Sequence, residues 1–112
     1  MSQPFVWFHN GSEAPADAVR FYEKLLGWKG SAGPGGMSML AGAEGPFAGV
    51  APRDAGPAGW IPFAQVDDVD QATDRATKLG AQVVQKRTRG PAGEFTIVRD
   101  PGGAALALWK KV

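Results

Sequence analysis

Residues 59–110 read GWIPFAQVDDVDQATDRATKLGAQVVQKRTRGPAGEFTIVRDPGGAALALWK. The pattern is strand, helix, then three strands. Trp60 to Val66 is apolar and short, as a strand buried on both faces is. Asp67 and Asp68 are natural N-caps. Val69, Ala72, Ala76 and Leu79 then recur at helical spacing, and Gly80 supplies the stop. Ala81 to Lys86 and Glu94 to Val98 are strand candidates around a turn-rich loop, Arg87 to Gly93. Asp100-Pro101-Gly102-Gly103 is a strong turn, and Ala104 to Trp109 is the last strand.

A weaker copy of this pattern lies earlier. Phe5 to Asn10 is an aromatic-rich strand candidate whose alternation puts Phe5, Trp7 and His9 on one face. Asn10 to Ala14 is a turn, and Pro15 suits the first turn of a helix. Ala18, Phe21, Tyr22, Leu25 and Leu26 form that helix's apolar face, and Gly27 ends it. Met37 to Ala41 and Phe47 to Ala51 are glycine-flanked strands, with a third near Trp28 to Ser31. Trp7, Asp17, Leu26 and Gly27 fall on Trp60, Asp70, Leu79 and Gly80 at one constant shift. One βαβββ unit used twice is the expectation. Each unit would bury its helix-free face by curling with the other into a cup.

The fold class expected is therefore α+β: two βαβββ modules, about 4–52 and 59–110, forming one cupped mixed sheet with helices outside. A single domain is expected across residues 1–112. The linker between the modules is Arg53 to Gly59. With 44% hydrophobic and 21% charged residues the composition is that of an ordinary globular chain, and 16 glycines favour short strands joined by tight turns. The formal net charge of +1 gives no reason to expect nucleic acid or an anionic membrane as partner. There is no cysteine, so thiolate chemistry and cysteine metal sites are excluded. The first residues lack the pattern of a secretory signal, no apolar run is long enough for a membrane helix, and a cytoplasmic location is the expectation.

Three tracts, DAVRFYEKLLGW at 17–28, VDDVDQATDRATKLGAQV at 66–83 and RDPGGAALALW at 99–109, together resemble the vicinal oxygen chelate superfamily of glyoxalase I, bleomycin-resistance proteins and extradiol dioxygenases. The resemblance covers nearly the whole chain and is strongest to short glyoxalase/bleomycin-resistance-like bacterial members. It implies paired βαβββ modules around a cavity. In the family's metal enzymes it also implies a divalent ion on four side chains, usually His, Glu or Gln. Carried over position by position, the ligand sites fall on Trp7, Ile61 and Ala107, with a fourth in Phe47 to Ala51. A slip of one residue offers Phe8, Pro62, Leu106 or Leu108. None of these binds a metal that needs three or four N, O or S donors. No metal and no cofactor are expected.

With that departure from the family's metal pattern, the expectation is a metal-free small-molecule-binding protein, comparable to the resistance or sequestration type, with an aromatic-lined cavity. Trp7, His9, Met39, Ile61, Phe63, Ala107 and Trp109 form the candidate ligand-binding set, and an aromatic small molecule is the expected ligand. A homodimer is compatible with the family. The alternative is a lyase, isomerase or dioxygenase with an unconventional metal site, or a catalyst using His9 as acid or base, since histidine alone titrates close to neutrality unperturbed. Against that, His9 also reads as a partly solvated strand-end residue. Trp60, Phe47 and Phe95 read as core. Met37 and Met39 are adaptable apolar surface whose commoner use is core filling. Glu94 reads as an exposed strand end, and Lys86, Arg87 and Arg89 as a solvated basic loop. Asp67, Asp68 and Asp70 read as helix-capping rather than metal-binding acids.

Overall fold

The computed structural model of the chain describes residues 4–53, 56–90 and 92–112. Contacts divide it into two compact units, Trp7–Trp60 and Ile61–Val112. The second is joined by the N-terminal segment, where the Val6 N–H donates to the Phe63 carbonyl at 2.9 Å.

The first unit contains β1 (Trp7–Ser12), α1 (Pro15–Leu26), β2 (Lys29–Ala32), β3 (Ser38–Gly42) and β4 (Gly45–Pro52). Its strands lie in the order β2-β3-β4-β1, with β1 parallel to β4 and the other pairs antiparallel. The second contains β5 (Gly59–Gln65) from Ile61 onward, α2 (Val69–Lys78), β6 (Gln82–Arg89), β7 (Gly93–Arg99) and β8 (Ala105–Lys111). Its order is β5-β8-β7-β6, again with one parallel pair, β5 with β8. The α+β class and the repeated βαβββ order are therefore as the sequence implies. Gly27 and Gly80, matched by the repeat, both hold positive φ, 73° and 105°, at the ends of their helices. No described helix is long and apolar enough to cross a membrane.

Several boundaries move. The first strand begins at Trp7 and runs on to Ser12, because β4 pairs with it from Phe8 through Ser12. The turn shrinks to two residues, helped by the Ser12 Oγ, which accepts from the Ala14 N–H at 3.0 Å. The expected loop from Arg87 to Gly93 is largely strand. Its charged residues lie on a sheet edge, where solvated side chains do not interrupt pairing, and two register shifts accommodate them. The linker segment 54–55 lies outside the described residues.

The face of α1 also differs. Ala18, Val19 and Tyr22 pack on a core of Leu40, Ala48 and Val50, together with Phe8, Trp28 and Phe47. Phe21, Leu25 and Leu26 are 57%, 63% and 50% exposed. The Tyr22 hydroxyl sets this rotation. It accepts from Trp60 Nε1 at 3.0 Å and Asn10 Nδ2 at 3.4 Å, while its ring stacks on Trp28. Trp60, read as core, is instead a partly exposed residue anchored by that bond. In α2, Asp68 is the N-cap, accepting from the Gln71 N–H at 2.9 Å. Val69 is buried at its start, and Leu79, expected in its apolar stripe, lies past its end and is exposed.

Candidate functional site

In the first unit the pleat of β1 decides what faces where. Phe8 packs into the α1-side core and Asn10 bonds Tyr22, so Trp7 and His9 project from the opposite face. His9 lies opposite Gly49 of β4, and Gly49 lies opposite Met39 of β3. The three strands thus carry His9, Gly49 and Met39 in a row on one face. Trp7, His9 and Met39 are all half-buried.

Two methionines shape this face through two glycines. A Cβ at Gly49 would collide with Met37 Sδ and come 3.3 Å from Cγ and 3.4 Å from Cε. Met37 therefore lies across Gly49. A Cβ at Gly33 would come 2.6 Å from Met39 Cγ, so Met39 leans under the turn before β3. Met37 and Gly49 were not in the expected site. Met37 lies just before β3 rather than in it, so strand alternation does not place it on this face.

Burial pushes the His9 imidazole below its ordinary value of 6.5, so the ring is neutral at pH 7. Among the described residues the ring has no hydrogen-bond partner. A neutral imidazole offers one donor and one acceptor, and both remain available here.

In the second unit Phe63 pairs with Ala107 and the next same-face pair is Gln65 with Trp109. Phe95 lies opposite Trp109, and Ile97 opposite Ala107. Alternation adds Ile61 to this face. The structure thus brings Ile61, Phe63, Ala107 and Trp109 to one face of their own sheet. Ile61 and Ala107 are wholly buried, Phe63 nearly so, and Trp109 is half-buried. The Phe63 and Phe95 rings meet at 5.3 Å. Trp109 lies over Gly93, where a Cβ would come 2.6 Å from Nε1.

The residues do not fit the divalent ion of the family's metal enzymes. Trp7, Ile61 and Ala107 offer no donor, and the residue of Phe47 to Ala51 that lies in register with His9 is a glycine. Among the described residues, no group of three or more His, Cys, Asp or Glu converges. The acids before and within α2 have other work. Asp68 caps the helix, and Asp70 accepts from Arg87 at 2.9 Å, which also ties down one residue of the basic segment.

The topology is that of a glyoxalase-like protein. The glyoxalase-like domain family matches residues 7–109, and the chain belongs to it. The chain is 35% identical to the protein named "Putative glyoxylase CFP32" of Mycobacterium tuberculosis over 104 residues, covering 83% of this chain and 40% of that one. It is 29% identical to the anthracycline biosynthesis protein DnrV of Streptomyces peucetius over 126 residues, covering 94% of this chain and 46% of that one. The chain spans less than half the length of these curated relatives. A glyoxalase/bleomycin resistance protein/dioxygenase superfamily member from Vibrio splendidus shares the fold, with a TM-score of 0.65 at 10% identity, covering 95% of this chain and 97% of that one.

Proposed function

We propose that this chain binds a small, flat aromatic molecule on the sheet face of Trp7, His9 and Met39, without a metal ion. The observation that supports this reading is the composition of that face. It carries an indole at a position where the metal enzymes of the family place a ligating side chain, with the Met39 thioether beside it and a neutral imidazole that has no hydrogen-bond partner among the described residues. An indole stacks on a flat ring, and a thioether adds favourable sulfur contact, each at about 0.5–1.5 kcal/mol. His9 can accept from a phenol or donate to a quinone carbonyl, which fixes the ligand's orientation. The name of one relative points to anthracycline biosynthesis, and anthracyclines are flat, fused aromatic molecules bearing such groups.

The test is a fluorescence titration of the purified chain with an anthracycline, in buffer containing a chelator. Saturable binding is expected, with Trp7→Ala weakening it about tenfold, the equivalent of ~1.4 kcal/mol. Absence of saturable binding by the wild-type chain, or equal affinity in Trp7→Ala, would sink the reading. Turnover of the probe that His9→Ala abolishes would move the assignment from binding to catalysis.

A further inference from the structure

The Met37 side chain covers part of the face that carries His9. Met37 follows a turn in which Gly35 and Gly36 both hold positive φ, 67° and 80°. Its backbone is fixed, since its N–H donates to the Pro34 carbonyl and its carbonyl accepts from the Gly33 N–H. Its side chain is held only by packing. Sδ, Cγ and Cε all lie where a side chain at Gly49 would be. Gly49 sits between His9 and Met39 in register, so the Met37 thioether fills the strip beside the imidazole. Met39 is held differently, pressed under the turn at Gly33. An unbranched, polarizable side chain with three rotatable bonds can leave such a seat at little cost and still pack on whatever replaces it.

We infer that Met37 is a specificity-determining residue of this face: its thioether occupies the cradle above Gly49 beside His9, and a flat aromatic ligand enters by displacing it. The ligand class rests on the function proposed above; the cover itself does not. Glycine at position 49 is what leaves a flat floor once the thioether moves. Any larger residue there would both expel Met37 and block the ligand.

His9 is the chain's one histidine, so its acylation by diethyl pyrocarbonate reads the cover without any ligand. Met37→Ala should speed that reaction about fivefold, and Met37→Leu, which keeps the bulk, by less than about twofold. Equal rates in wild type and Met37→Ala, with matching near-ultraviolet circular dichroism, would overturn the cover whatever the binding result. In anthracycline titrations, Met37→Ala should bind about threefold tighter, because nothing need be displaced, and Gly49→Ala about tenfold weaker. Unchanged affinity in both would overturn the assignment of specificity. Faster acylation in Met37→Ala together with no binding by the wild-type chain would leave the cover standing and reject the aromatic ligand.

Discussion

His9 couples the candidate site to pH. Burial depresses its folded pKa below 6.5, whereas in the unfolded chain it titrates near that value. Between the two values the unfolded state binds more protons, so stability rises with pH. The contribution is fully present above the unfolded value and is lost as pH falls from there through the lower folded one. The urea midpoint of the wild type relative to His9→Gln should be flat above about pH 7.5 and tilt against the wild type below about pH 6.5. Parallel profiles at all pH values would mean that the ring is solvated. At this scale the sequence was partly legible. Strand alternation was enough to place Trp7 and His9 together. It gave no hint that Gly49 mattered, because a glycine has no side chain to show which neighbour occupies its space. Met37 was hidden for a related reason: its role comes from a contact across strands, not from its own segment.

The helices show where periodicity stops being informative. Pro15, Gly27 and Asp68 mark ends that the structure keeps, since capping is set by local backbone chemistry. Rotation about the helix axis is set by partners far away in sequence. The five apolar residues of α1 form one stripe, yet Val19 from outside it packs inward with Ala18 and Tyr22 while Phe21, Leu25 and Leu26 stay exposed, and the Tyr22 hydroxyl with its two donors favours that rotation. Tyr22→Phe should therefore cost about 1–2 kcal/mol, by leaving Asn10 Nδ2 and Trp60 Nε1 without their acceptor. Leu25→Ala, conspicuous in the sequence pattern, should stay within about 0.5 kcal/mol because the side chain is already in water. Urea unfolding of both variants compares them directly. A larger loss for Leu25→Ala than for Tyr22→Phe would show the helix packing on the face the sequence suggests. Short strands were the least legible elements. β2 is Lys-Gly-Ser-Ala, and β4 begins Gly-Pro, so neither has an alternating apolar pattern to mark its extent.

For the molecule as a whole, the repeat carried the fold because a βαβββ unit can be recognised from helix ends and turns even when few residues are identical. The same positional logic gives the prediction about metal. The family's metal enzymes need three or four donors at fixed places, and this chain puts tryptophan, isoleucine and alanine there, with glycine in register beside His9. Remote groups do not substitute: Asp68 and Asp70 are engaged at α2, and no other acid, histidine or cysteine cluster forms among the described residues. An ion bound only by the native state, at a hundred times its Kd, would add about 2.7 kcal/mol of stability. For a domain of roughly this size that corresponds to a rise of about 10 °C or more in Tm. The purified chain should instead hold far less than one ion per chain, and saturating Zn, Ni, Mn or Fe(II) should move Tm by less than about 2 °C. A tightly held stoichiometric ion that raises Tm by the larger amount would require donors at positions other than those the repeat assigns. It would also make the enzymatic alternative the better account of the chain.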